Sequence, residues 1–409
     1  MDAALNTASL ALNRGDPLGA LRYVALREDA FALALRGIAM AQLGELTRAK
    51  ALLRAAARSF GPQQVVARAR CIVALGEVAL ASRDLSFSQR SLQAAQKTLA
   101  AQGDAPNALH AQLLLIRRLA LIGRAAEAQW ALAALDLRGA SSAHVAVAAL
   151  IGADIALRSL STGRAQKALA RARGAARRAG IPALQKEVEA LAQSLQLPAA
   201  RSLVAGSLTP LTLADVERSA RGQQLVVDAC RRSLRCGSRS VALQRRPVLF
   251  ALLRAVAEAW PASVPRDRLA AGVFGVTRVN ESHRVRLRVE VGRLRRLIAE
   301  FAELQADRHG FGLVVRSGVV VLVLLPPIDG EDAALRALLA DGAAWSSSAL
   351  ALALGSSQRS VQRALLALAA RGEVHCFGRA RARRWLSRPS SAFATTLLLP
   401  APYAHGPMA

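Results

Sequence analysis

From Arg284 to Phe301 the apolar residues Leu287, Val291, Leu294, Ile298 and Phe301 recur at spacings of four, three, four and three. That spacing predicts one buried stripe of an α-helix over residues 284–301. At 100° per residue, Val285, Val289, Gly292 and Arg296 point the opposite way. Arg286 and Arg293 flank that outer face on one side, Arg288 and Arg295 on the other. A helix buried along one stripe and crowded with guanidinium elsewhere suits insertion into a DNA groove. The competing reading is a solvated basic surface helix.

Residues 1–198 carry a different pattern: Ala- and Leu-rich, nearly without strand runs, and repetitive. Gly37 is followed by Ala49, Leu53 and Ala56, and Gly76 at the same spacings by Ser88, Leu92 and Ala95. A third copy sets Ala128, Leu132 and Leu135 after Ile116. A fourth, Gly152 with Ala165, Leu169 and Ala172, needs one inserted residue, and a degenerate copy surrounds Gly15 and Ala20. Small residues where two helices cross let their backbones approach while Leu fills the space beside them. The pattern resembles the tetratricopeptide repeat, with a spacing near forty residues and few of that family's aromatic positions. It implies an α-solenoid of helical hairpins, whose groove would take a protein or peptide partner and which in many cases forms a homodimer. Trp130, Arg117 and Arg118 are candidate groove residues, each with a packing or surface role as the alternative.

Beyond Pro198, residues 199–221 read as a connector with a short helix. The period then falls to two: QLVVDA, RSLRC and SVALQ predict a small antiparallel sheet. PVLFALLRAVAEAW and PRDRLAAGVF read as two helices, GVTRVNES as a loop into the arginine helix. HGFGLVV and GVVVLVLL read as two strands joined by a turn at Ser317–Gly318.

This order of elements resembles the winged-helix DNA-binding domain of the OmpR/PhoB response-regulator type, over residues 222–327. VGRLRRLI, Val291 to Ile298, matches that family's apolar-x-Arg-Leu-Arg-basic-apolar-apolar pattern; HGFGLVV matches its wing, and VALQRRPVLFALL its leading strand and first helix. The resemblance implies DNA contact by Arg286, Arg288, Val289 and Arg293, with Arg284 opening the same helix. The Arg fork pairs with guanine O6 and N7, and outward Val285 and Val289 suit thymine methyl groups. Arg295, Arg296 and the wing residues Arg308 and Arg316 would hold phosphate. Val285 stands where the family usually has Arg, and Arg288 where it often has Asp. Helical repeats occupy the place of a phosphoacceptor receiver, so aspartyl phosphorylation is not implied.

Past the linker IDGED, residues 331–388 show three short helices: AALRALLADG, SSSALALALG and SVQRALLALAARG. Val361, Leu365 and Leu368 form the third helix's stripe, with Arg359, Ser360, Gln362 and Arg363 facing outward. EVHCF and RARRWL follow as strand, turn and strand, carrying Arg379, Arg381, Arg383 and Arg384. The segment resembles a second winged helix of the MarR or GntR bacterial repressor type, implying DNA contact by Arg359, Ser360, Gln362, Arg363, Arg379, Arg381 and Arg383. Residues 389–409 are a Pro-, Ala- and Ser-rich tail with one apolar knot.

The fold expected is therefore mainly α: an N-terminal α-solenoid, then two α+β winged-helix domains. A net charge of +27 and a pI near 11.7 make double-stranded DNA the first partner to consider. Four of the fifty-five basic residues are Lys (50, 97, 167, 186) and fifty-one are Arg. Cys71, Cys230, Cys236 and Cys376 form no CxxC pair, so neither a zinc site nor a disulfide framework is expected. The basic start of a signal peptide is missing, and the longest aliphatic run, Val319 to Leu325, is too short for a bilayer, so the location expected is cytoplasmic, away from membranes. Neither a Walker pattern, paired carboxylates nor a nucleophile triad emerges, so no enzyme and no cofactor is expected. The function expected is a sequence-specific DNA-binding transcription regulator. The alternative is a protein-interaction scaffold whose repeats and winged helices hold protein partners.

Overall fold

The computed structural model describes residues 2–82, 84–85, 87–327, 332–340, 344–354, 356–378 and 383–387. Residues 1–194 make most of one compact unit and residues 195–374 most of another. The protein is mainly helical with some sheet. Among the described residues no helix is long and apolar enough to cross a membrane, and no group of His, Cys, Asp and Glu could hold a metal ion.

The first unit is a run of helices: α1 (Ala3–Asn13), α2 (Pro17–Val24), α3 (Ala30–Gln42), α4 (Leu46–Ser59), α5 (Val65–Ala81), α6 (Gln89–Ala101), α7 (Ala105–Leu121), α8 (Ala125–Ala133), α9 (Ser142–Arg158), α10 (Thr162–Ala179) and α11 (Pro182–Ser194). Each packs on its sequence neighbours. Asp2, Asp16, Asp29, Ser88, Asp104 and Ser141 cap helix starts with their side chains. The small-residue positions do what close packing requires: Ala49, Leu53 and Ala56 are fully buried, and a Cβ on Gly37 would stand 2.7 Å from Leu53 Cγ. Gly76 is similarly close to Leu92, at 3.2 Å.

Three repeat positions differ from expectation. Ser88 is exposed and caps α6, because its hydroxyl is worth more to an orphan backbone N–H than to a crossing. Leu135 lies beyond the end of α8. Gly152 on α9 faces Leu132 of the preceding helix, at 3.4 Å, rather than the helix that follows. Arg117, a groove candidate, is buried against Glu187. Arg118 donates to the Leu85 carbonyl at 2.9 Å, and Trp130 is 76% exposed.

Buried polar groups link α5, α7, α9 and α11. Arg70 Nε donates to Asp104 at 2.6 Å, the Asn107 amide donates to the same carboxylate, and His110 Nε2 lies 3.1 Å from Glu77. The His110 ring is 5.8 Å from His144. Burial pushes the Glu187 carboxyl up to about 8 against the pull of Arg117 3.5 Å away, and neither carboxyl oxygen accepts a hydrogen bond among the described residues. Burial, aided by His110, holds the His144 imidazole down at about 4.

The second unit begins with β1 (Ala200–Val204), β2 (Ser207–Leu211) and α12 (Leu213–Arg221), followed by β3 (Leu225–Asp228), β4 (Ser233–Cys236) and β5 (Arg239–Ala242). Then come α13 (Pro247–Ala259), α14 (Arg266–Phe274), α15 (Glu281–Ile298), β6 (Glu303–Ala306), β7 (Phe311–Val314) and β8 (Val321–Leu325). Residues 199–221 are thus no connector. Ala205 and Gly206, both at positive φ, turn β1 into β2. Pro210 is accommodated because β2 is the edge of its sheet.

That sheet is six-stranded in the order β2-β1-β8-β3-β4-β5, and mixed rather than antiparallel, since β8 runs parallel to β3 with Val323 beside Val227. The expected β7–β8 hairpin is also corrected: the turn at Gly318 exists, but β7 pairs with β6 while β8 inserts between β1 and β3. Burial explains the choice. Residues 321–324 are all buried, which a strand covered on both faces requires.

The remaining elements are α16 (Ala333–Leu339), α17 (Ser347–Leu354), α18 (Gln358–Ala370), β9 (Val374–Phe377) and β10 (Arg384–Ser387). Trp345 bridges Trp385 backbone to backbone. Most of the linker IDGED and the whole tail 389–409 lie outside the described residues.

Gly37→Ala should cost about 1–3 kcal/mol, because the new methyl meets a buried Leu53 whose backbone N is itself only 3.2 Å away. Gly163→Ala, with nothing within 4 Å, should instead stabilise by up to ~1 kcal/mol. Denaturant midpoints of the two variants should move in opposite directions; a shared direction refutes the crossing role of Gly37.

Two titrating groups, buried Glu187 and half-buried His144, give stability a defined pH dependence. Native Glu187 keeps its proton up to about 8, while the unfolded chain releases it near 4.5, so its contribution falls as pH rises across that window. Native His144 stays neutral down to about 4 whereas the unfolded chain protonates near 6.5, so its contribution falls as pH drops across that window. From about 6.5 to 8 Glu187 acts without opposition from His144. Glu187→Gln should flatten the decline there, by on the order of 5 °C in Tm at the alkaline end. His144→Asn should flatten the acid side. Melting curves from pH 4 to 9 that keep the wild-type shape would refute both assignments.

Candidate nucleic-acid interface

The arginine helix α15 starts three residues before its predicted start, because Asn280 and His283 form a reciprocal cap. Asn280 Oδ1 accepts from the His283 N–H at 3.0 Å, and the Asn280 N–H donates to His283 Nδ1 at 3.2 Å. The helix ends at Ile298, so Phe301 packs from the following turn. Leu287, Val291, Leu294 and Ile298 are all at most 2% exposed and join one core with α13, α14 and the sheet. The remaining faces carry six arginines and two glutamates.

Each flank arginine meets a particular neighbour. Arg284 forms a two-pronged ion pair with Asp267 of α14, both contacts at 3.0 Å, and lies 3.5 Å from Glu281. The guanidinium holds the Asp267 carboxyl below the usual carboxylate range. Arg286 lies over the Phe274 ring at 4.6 Å, and His283 stacks on the same ring. Arg293 donates to Glu290 at 2.8 Å. Arg295 Nε donates to the Leu304 carbonyl at 2.7 Å and so ties the helix to β6. Arg288 is 72% exposed and 3.8 Å from Glu281. Among the described residues Arg296 makes one long contact, 3.5 Å, to the Gly292 carbonyl. Val285 and Val289 are half exposed between these cations, and Gly292 has no neighbour within 4 Å of where a Cβ would sit.

The β6–β7 hairpin is built around Asp307, whose carboxylate accepts from the N–H groups of His309 and Gly310, both at 2.7 Å, and from the Ser263 hydroxyl. These donors hold the Asp307 carboxyl below its ordinary range, with the Ser263 hydroxyl the largest cause. A Cβ on Gly310 would stand 1.8 Å from the Val264 carbonyl oxygen, and one on Gly312 2.7 Å from Ser263 Oγ. The Gly-Phe-Gly pattern is therefore the footprint of segment 263–265 crossing β7. Arg308 on this turn donates to His309 Nε2 at 3.0 Å. Arg316, exposed, sits beyond the opposite end of β7, so the two do not share one turn.

In the last segment Val361, Leu365 and Leu368 are buried as expected, and Arg359, Ser360, Gln362 and Arg363 are exposed. Ser357 caps α18 and bonds the Ser360 hydroxyl at 2.9 Å; Gln362 reaches Ser347 at 3.5 Å. Arg383 lies 5.7 Å over the Trp385 ring, while Arg379 and Arg381 lie outside the described residues. Sequence reading missed Arg246, which precedes α13 and shares a cavity with Arg293 and Arg296. Its only local signal is the Arg-Arg-Pro run at a helix start. Comparison with family models, with curated proteins and with solved structures found no match.

Arg295→Ala should destabilise the second unit by about 1–2 kcal/mol, through loss of a charge-assisted bond to Leu304. Arg296→Ala should stay within about 0.5 kcal/mol. Gly292→Ala, unhindered on a helix, should stabilise by about 0.5–1 kcal/mol. Equal destabilisation by Arg295→Ala and Arg296→Ala in thermal melts would overturn the tethering role.

Proposed function

We propose that the protein is a sequence-specific DNA-binding transcription regulator, with α15 as the recognition helix of a winged-helix domain. The observation that carries this reading is the division of labour on α15. Four buried side chains anchor it, and its other faces carry six arginines, with two half-exposed valines among them. An isolated basic helix would gain nothing by exposing Val285 and Val289, whereas thymine methyl groups in a major groove give them apolar contact. The helix, roughly 10–12 Å across with its side chains, fits a groove about 12 Å wide.

In this reading Arg288 and Arg296, outermost and loosely held, meet the DNA first. Arg286, braced on Phe274, and Arg284, braced on Asp267, are oriented before contact, which reduces the ordering cost of binding. Arg308 holds phosphate from the β6–β7 turn, and Arg316 from the other end of β7. Residues 1–198 act as a solenoid for a protein or peptide signal. Residues 331–388 form a second winged helix, with Arg359, Arg363 and Arg383 as its contacts.

Selection of duplexes from a random pool by the full-length chain should enrich one sequence. Binding to it should weaken steeply with salt, by a log–log slope of about −0.9 per phosphate neutralised. Arg288→Ala should relax preference at one base position and cost about 1–3 kcal/mol there. No enrichment together with a flat salt response would favour the protein-scaffold alternative.

A further inference from the structure

Beside α15 lies a cavity of about 630 Å³, walled by Pro247 and Leu297 and charged by Arg246, Arg293, Arg296 and Glu290. Three arginines from two elements thus line it. Glu290, whose side chain is 13% exposed, already accepts from Arg293, which leaves Arg246 and Arg296 as surplus positive charge. All three arginines are exposed, and with one glutamate among them they leave this open hollow electropositive and accessible to an anion. Arg246 is held at the rim by the start of α13, where its own N–H donates to the Leu243 carbonyl at 2.9 Å.

We propose that this cavity seats one phosphodiester of the DNA backbone, with Arg246 as a phosphate ligand that α15 does not itself provide. The inference rests on the DNA-binding reading above and adds to it a residue and a ligand. Geometry favours the backbone over a base. A helix filling a major groove has the phosphate chains running along its two flanks, and the cavity lies on a flank. Arg293 and Glu290 are there, whereas Val285 and Val289 mark the outermost face. A grip from α13 as well as α15 fixes the rotation of the recognition helix in its groove. It supplies register, not sequence.

The full-length chain is titrated with its selected duplex at several salt concentrations, and with duplexes carrying one neutral methylphosphonate at successive backbone positions. Arg246→Ala should weaken binding about fivefold at moderate salt, equally for different sequences, and make the log–log salt slope shallower by about one. One methylphosphonate position that weakens the wild type should leave the Arg246→Ala variant unaffected. Arg246→Lys, which keeps the charge, should keep the wild-type slope. An unchanged slope in Arg246→Ala, with the same methylphosphonate sensitivity as the wild type at every position, overturns the phosphate seat while leaving DNA binding standing. Wild-type protein without affinity for any duplex overturns the DNA reading and the seat together.

Discussion

Everything in the second unit depends on holding an 18-residue helix with six arginines against a core by four side chains. Such a helix is too polar to be stable from its own hydrogen bonds, and neighbouring guanidinium groups repel one another. Burial of Leu287, Val291, Leu294 and Ile298 supplies the tertiary anchor, each worth about 1.5–3 kcal/mol of apolar transfer. The flanks then relieve the repulsion locally. Asp267 takes Arg284, Glu290 takes Arg293, the Phe274 face takes Arg286 and the Leu304 carbonyl takes Arg295. These partners come from the same helix, from α14 and from β6. The orientation of the cations is therefore a property of the whole unit and not of the helix alone.

What could be read in advance was whatever a local period encodes. The buried stripe of α15, that of α18 and the Gly37–Leu53 crossing follow from spacings of three and four within one or two helices. The start of α15 was hidden because its cap uses His283 where the usual pattern has Glu or Gln. The β1–β2 hairpin was hidden because Gly206 and Pro210 read as punctuation, yet one makes the turn and the other sits on an edge strand. The parallel partnership of β3 and β8 joins residues nearly a hundred positions apart, and no local pattern records it. Arg246 belongs to that second kind. Its meaning comes from Arg293 and Arg296, which tertiary folding brings to the same cavity.

The helical unit solves a different problem. Its cores are dominated by Ala and Leu, which pack closely but discriminate poorly between alternative helix pairings. The buried contacts of Arg70 with Asp104 and of His110 with Glu77 are directional hydrogen bonds that join α5 to α7, while Arg117 of α7 lies 3.5 Å from Glu187 of α11. Mispairing these helices would leave a desolvated charge without its counterpart, a penalty larger than the loss of one Leu contact. Keeping Glu187 protonated is one way the native arrangement lowers the cost of burying it.

Net charge alone would not have singled out α15. Residues 1–198 hold 25 basic and 13 acidic residues, a surplus of +12. Residues 199–327 hold 21 and 10, a surplus of +11 on a shorter stretch, and residues 328–409 add +4. Positive charge is thus spread along the chain, as a genome-wide preference for Arg codons would spread it. Ion pairs occur in both units. In the helical unit Arg70 and Arg117 are buried against acids, and Arg158 and Arg173 are matched to Asp154 and Glu189. On α15 Arg284, Arg288 and Arg293 likewise lie beside acids, and Val285 and Val289 are half exposed among the arginines. Replacing those valines with polar residues would cost little in folding, since half of each side chain already faces water. Two half-exposed valines among guanidinium groups give this face both positive charge and apolar area, a combination that accords with the proposed DNA reading because the major groove offers phosphate and thymine methyl groups together.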